Sequence, residues 1–382
     1  MQLILPNAQG EMRPYNMTGS VLRDHALPNN PARILYSAAH VVADPMSNKN
    51  PHGHAVVDWE TTLKFRHYLA SLGLGIAEAM DTAQRGMGLN WTGALELIRQ
   101  TRTELPNARV ANGVGTDHLD PADATTLQDV ISAYMYQLEA VQALDARVIL
   151  MASRALARVA QSPADYIYVY REVLENCDFP VILHWLGDMF DPALAGYWGA
   201  EAFDDTLKIV LDIIHENQSK IDGIKISLLD KNKEIKMRRQ LPDGVMMYTG
   251  DDFNYPELIA GDDQGYSHAL LGIFDPLAGI ATKAIDFLGQ GDRDGFHALL
   301  DPTVPLARHI FCAPTQYYKT GVVFLAWLNG FQNHFVMLNG AQSARSLLDL
   351  VRTFEMADQA GILRDPDLAA ARMGYLLRLY GC

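Results

Sequence analysis

The stretch KIDGIKISLLD, residues 220–230, decides how the rest of the chain is read. It is short, mostly apolar and rich in isoleucine, as a strand covered on both faces would be. Alternation puts Ile221, Gly223, Lys225 and Ser227 on one face and Asp222, Ile224, Ile226 and Leu228 on the other. The second face reads as packed. The first carries small residues around a single amine. A lysine so placed must reach solvent, pair with a carboxylate or do chemistry.

Seven more runs of this kind lie on either side. They are RILYSAAHVVA (33–43), GLGIAEAMDT (73–82), ARVANGVG (108–115), ARVILMAS (146–153), FPVILHWLG (179–187), GVMMYTG (244–250) and SHALLGI (267–273). Amphipathic stretches of helical period separate most of them, such as WTGALELIRQTRTEL (91–105) and DDTLKIVLDIIHEN (204–217). Eight strands alternating with helices predict a (β/α)8 TIM barrel. An open doubly wound sheet is the competing arrangement, but no strand leads into a GxGxxG turn. From about residue 281 the pattern is helical to the end. The expected organisation is an N-terminal arm (1–30), a barrel (31–290) and a C-terminal helical layer (291–382).

The 382 residues are 49% hydrophobic and 20% charged, which is ample for a large core. A net charge of −14 argues against nucleic acid or an anionic membrane as partner. The three cysteines, Cys177, Cys312 and Cys382, have no metal-like spacing and read as reduced thiols of a cytoplasmic protein. No signal peptide is evident at the start, and no apolar run is long enough to span a bilayer. The apolar, aromatic stretch at 321–338 is expected to pack the helical layer on the barrel or on a neighbouring subunit. A homo-oligomer follows from the second alternative.

In a barrel the site lies at the C-terminal ends of the strands. That selects His40, Asp81, Thr82, Thr116 to His118, Ser153, Arg154, His184, Asp188, Lys225, Thr249 to Asp252 and His268. Lys225 is the most informative of them. Burial lowers a lysine pKa, and a neutral amine attacks a carbonyl to give a Schiff base.

FPVILHWLG, then IDGIKIS one helix later, then YTGDDFNYPELIAGDDQGYSHALLGI (248–273) resembles the dihydrodipicolinate synthase and N-acetylneuraminate lyase family, in an uncharacterised, divergent branch. The resemblance covers roughly residues 33–290. It implies a barrel with a C-terminal helical extension and a class I aldolase without external cofactor. The family's Schiff-base lysine lies in a G-I-K context, matched by Gly223-Ile224-Lys225, and its G-D-D motif by Gly250-Asp251-Asp252.

The departures define the expected substrate. Where the family has G-T-T-G-E this chain has Asp81-Thr82-Ala83-Gln84-Arg85, which keeps the proton-relaying threonine as Thr82. The strand-five tyrosine is replaced by His184, and the arginine that binds the keto-acid carboxylate by Met189. Ser153 or Arg154 lies near the place of a further tyrosine. The amine is kept and the pyruvate clamp is lost, unless Arg85 or Arg154 replaces it. The expected substrate is therefore a small carbonyl compound, a keto-sugar or sugar-acid derivative. The expected roles are Lys225 as nucleophile, His184 as acid/base and Thr82 as relay. Arg85, Arg154, Asp251, Asp252 and His40 are the expected substrate contacts.

Two other readings use the same barrel mouth. A metal-dependent isomerase, aldolase or hydrolase would draw ligands from His40, Glu78, Asp81, His118, His184 and Asp252. No tight H-x-H or H-E-x-x-H spacing marks that mouth; PHGH (51–54) does contain His52 and His54, but it reads as a flexible loop after strand one, with Pro and Gly around it. A non-catalytic barrel that binds a sugar or a partner is the other, and a buried amine without a role argues against it.

Overall fold

Every one of the eight apolar runs forms a strand. The computed structural model describes residues 1–52 and 55–382. After β1 (Gln2–Pro6) and β2 (Met12–Asn16) come β3 (Leu35–Ala38), β4 (Gly75–Glu78), β5 (Val110–Val114) and β6 (Arg147–Leu150). They are followed by β7 (Val181–Leu186), β8 (Ile221–Ser227), β9 (Met246–Thr249) and β10 (His268–Leu271). β3 to β10 pair in chain order, and β10 returns to β3 to close the barrel. The pairings are parallel throughout.

Local signals start the covering helices. Asp58 and Asn90 cap Trp59–Ser71 and Trp91–Glu104 through their side chains. Thr126 and Ser162 form capping boxes with Asp129 and Asp165 ahead of Leu127–Gln142 and Pro163–Glu175. Phe203–Glu216 buries seven side chains, from Thr206 to Ile214, on its barrel-facing stripe.

The first 30 residues are more ordered than an arm of polar sequence suggests. β1 and β2 form an antiparallel hairpin that docks on the C-terminal helix Leu347–Gln359. Tyr15 Oη donates to Asp358 Oδ2 at 2.9 Å, Thr18 N donates to the same oxygen at 2.8 Å, and Arg13 pairs with Glu355.

Inside the barrel, Tyr36, Ala38, Ala77, Ala111, Ile149, Ile182, Tyr248 and Leu270 form a compact cluster. The rings of Tyr36 and Tyr248 meet edge to face at 5.9 Å. Gly223 makes room for them, since a Cβ there would lie 2.7 Å from the Tyr248 ring. The alternation expected for 221–227 breaks at one residue. β8 slips against β7 so that Val181 pairs with Ile221 and Ile182 with Gly223. Asp222 is the extra residue of this bulge. Ile221 therefore joins the outer core with Ile224 and Ile226, while Asp222 turns inward to accept a hydrogen bond from Tyr248 Oη at 2.8 Å.

The remainder is helical: Phe274–Gly289, Arg293–Leu300, Val304–Ile310, Tyr318–Leu328, Leu347–Gln359 and Pro366–Leu379. All 11 residues of Tyr318–Leu328 are buried within the chain, so this helix needs no second subunit to cover it, while Phe331, Phe335 and Val336 after it are partly buried. Among the described residues no helix is long and apolar enough to cross a membrane.

Candidate active site

Beyond the bulge, Gly223, Lys225 and Ser227 face the barrel interior as the alternation requires. Lys225 pairs in register with His184 on β7 and Tyr248 on β9. Its side chain rises past Gly250, where a Cβ would meet Lys225 Cε at 2.7 Å and Ser227 Oγ at 2.2 Å. The absence of a side chain at Gly250 is what lets the amine pass. Lys225 is 8% exposed, and among the described residues its amine has no hydrogen-bond or ion-pair partner. Burial lowers its pKa, and the carboxylates of Asp252 and Asp81 pull against that shift.

The amine borders a pocket of about 10 Å³, lined among others by Thr82, Asp252, Phe190, Phe311 and Tyr318. That is room for one water-sized group. Asp252 Oδ1 accepts a hydrogen bond from the backbone N–H of Ile273 at 2.9 Å. Burial pushes its carboxyl up to about 7, against the opposing pull of that N–H and of Lys225. Thr82 stands on the short turn Asp81–Ala83 after β4, and its Oγ1 lies 2.8 Å from Tyr318 Oη. Burial raises the Tyr318 phenol well above its ordinary value. Tyr318 stacks on Phe311 at 4.3 Å, and Phe190 meets both rings edge-on. The three rings roof the pocket.

His184 is 1% exposed and hydrogen-bonds through Nε2 to Ser227 Oγ at 3.3 Å. Burial, reinforced by the neighbouring amine, pushes its pKa well below the ordinary value. The imidazole is thus neutral near pH 7, not poised to titrate there. It also borders a wider cleft of about 400 Å³ at the barrel mouth, between Thr116, His118, Arg154 and Asp191. A larger cavity, about 570 Å³, lies at the opposite end of the barrel beside Arg109, Arg147 and Asp222. The Tyr36–Tyr248 layer separates it from Lys225, so its size does not make it the place of the chemistry.

Three expected contacts are turned elsewhere. Arg85 is consumed by the fold: Nε and Nη2 donate to Asp117 at 2.7 Å, Nη2 to Gln137, and Nη1 to the carbonyls of Ala79 and Gly113. It has no donor left for a substrate carboxylate. His40 is fully buried and lines no described pocket, with Nδ1 2.7 Å from Asp275 Oδ2. Asp251 accepts from the backbone of Phe253 and Asn254 and from the Asn254 amide, closing the turn before Tyr255–Ala260. Arg154 does reach the cleft, where its Nε donates to Asp191 at 2.6 Å.

The residues of the metal reading do not converge. Glu78 is bound by Arg66 through both oxygens and by Thr101. His54 lies outside the described residues. Among the described residues, no group of three or more His, Cys, Asp or Glu side chains is arranged to hold a metal.

Two residues escaped the sequence reading. Tyr318 and Lys319 begin a helix whose composition signals only packing. The Lys319 amine donates to the Gln316 carbonyl at 3.0 Å and faces Met87 Sδ, and burial lowers its pKa to about 8.

Residues 3–382 match the family described as "Protein of unknown function (DUF993)". No curated protein sequence matches the chain. Among solved structures, the dihydrodipicolinate synthase of Thermotoga maritima is similar with a TM-score of 0.65 at 14% identity, over 87% of this chain and 100% of that one. The Aquifex aeolicus enzyme gives 0.64 at 12% identity, over 87% and 99%. A prophage protein of the dihydrodipicolinic acid synthase family from E. coli K12, solved in complex with pyruvate, gives 0.63 at 12% identity, over 92% and 99%. At these identities the likeness is one of fold.

Proposed function

The chain belongs to the DUF993 family, and from its own site we propose that it is a Schiff-base-forming lyase acting on a small carbonyl compound. The observation that carries this is the unpaired, buried Lys225 amine beside Asp252 and the Thr82–Tyr318 hydroxyl pair. An amine of lowered pKa is a nucleophile near neutral pH, and a closed pocket shields its adduct from water.

The reaction is a retro-aldol cleavage, or the same steps reversed. The neutral Lys225 amine adds to the carbonyl carbon, and the carbinolamine loses water to leave an iminium. A base takes the proton of the β-hydroxyl, and the bond between the α and β carbons breaks. Its electron pair flows to the iminium nitrogen, giving an enamine and releasing an aldehyde. The enamine is protonated at carbon, and water hydrolyses the imine to free the lysine. Asp252, with a carboxyl near 7, is matched to both donate and accept these protons. The Thr82–Tyr318 pair carries protons within the pocket. His184, neutral, orients the adduct as a hydrogen-bonding group.

Among the described residues no free cation stands beside the amine, which supports a keto-sugar or sugar-acid derivative over pyruvate, because a carboxylate there would be left without a partner. The test is borohydride reduction in the presence of pyruvate, keto-sugars and sugar acids, with peptide mass spectrometry to locate any adduct. A reduced adduct on Lys225 supports the proposal. No adduct with any compound, in a protein that holds stoichiometric divalent metal, overturns it.

A further inference from the structure

The cleft at the mouth and the pocket at the lysine share two wall residues, Asp81 and Leu186. They form the neck through which a substrate must extend when its carbonyl carbon is at Lys225. Asp81 opens the turn after β4. Among the described residues its carboxylate accepts no hydrogen bond and joins no ion pair, yet its field reaches Lys225, Tyr318 and Lys319.

The cations nearby are held by other groups of the protein, Arg85 and Arg154 within the wall of the cleft. Arg85 is bound by Asp117, Gln137 and two carbonyls. Arg154 is bound through Nε by Asp191, and its side chain is 48% exposed. Lys319 donates to the Gln316 carbonyl and lines neither space. Among the described residues the carboxylates whose fields act on the amine are Asp81 and Asp252. A substituent on the carbonyl carbon therefore meets negative charge at the neck.

We propose that Asp81 sets the substrate class: it accepts a hydroxyl on the carbon next to the carbonyl, selecting α-hydroxy ketones and aldehydes, and it repels 2-oxo acids. The inference rests on the Schiff-base reading and deepens it. A hydroxyl donates its proton to the free carboxylate oxygen in a charge-assisted hydrogen bond. In a 2-oxo acid that neighbouring carbon is itself a carboxylate, which would set two like charges side by side in a poorly hydrated neck.

Three probes that differ only at this carbon decide the matter. They are hydroxyacetone (hydroxyl), butanone (methyl) and pyruvate (carboxylate), each trapped on Lys225 with borohydride over a range of concentrations. In the wild type, hydroxyacetone should label Lys225 at concentrations at least about tenfold below the other two. In Asp81→Asn, which keeps size and a hydrogen-bonding oxygen, pyruvate should improve about tenfold relative to hydroxyacetone. The wild-type panel stands even if a variant folds poorly. Pyruvate labelling as well as hydroxyacetone, or a ratio unmoved in Asp81→Asn, overturns the role of Asp81 and leaves the Schiff-base reading intact. Absence of label from all three overturns the role of Asp81, and the Schiff-base reading falls with it where keto-sugars and sugar acids leave no adduct either.

Discussion

The hydroxyls of Thr82 and Tyr318 meet at 2.8 Å inside the lysine pocket, although one follows β4 and the other begins a helix near the end of the chain. If this pair moves protons, Tyr318→Phe removes a donor and keeps the stack on Phe311. We expect kcat to fall about 10²-fold with KM little changed. Steady-state kinetics on any substrate found by trapping checks this. An equal rise in KM at constant kcat would make Tyr318 a packing residue.

Lys225→Met should abolish trapping and yet give a more stable protein. Among the described residues the buried amine has no partner, and methionine fills a similar volume without a charge to desolvate. A gain of about 1–2 kcal/mol in chemical denaturation is expected. A loss of stability would mean that the amine supports the fold.

Asp252 predicts two pH effects. As a base its carboxylate form is the active one, so kcat/KM should rise through about pH 7, and Asp252→Asn should remove that limb. For stability the sign follows from a folded pKa raised by burial above the ordinary carboxyl value of 3.8. The folded state holds the proton longer, so this contribution is present below that value and is lost as pH rises through about 7. The stability of Asp252→Asn relative to wild type should therefore increase across this window. Denaturation at several pH values measures it.

Glu78→Ala should destabilise the protein by about 3–5 kcal/mol, because it leaves the fully buried Arg66 guanidinium unpaired. Trapping on Lys225 in the folded fraction should be unchanged. A loss of label at full folding would bring Glu78 into the site.

The barrel was legible because its strands are apolar on both faces and its helices are capped by local residues. Lys225, Thr82 and Asp252 were legible as polar residues at strand ends. Other features depend on contacts that no local pattern carries. The bulge at Asp222 depends on register against β7 and redirects Ile221. Arg85 looks available until Asp117, in the loop after β5, is brought against it. Tyr318 stands just ahead of the apolar run 321–328, and only the closure of the fold over the barrel mouth reveals its hydroxyl.

The helix that carries Tyr318 is gripped on every face, whereas Leu119, Asp120 and Pro121 in the cleft wall belong to the loop after β5. Chemistry and recognition are thereby assigned to parts of the molecule with different freedom to change. Substitutions in that loop can reshape what is admitted while the amine, the carboxyl and the paired hydroxyls keep their places. Selection for a new substrate should find its first successful variants there, at little cost to turnover.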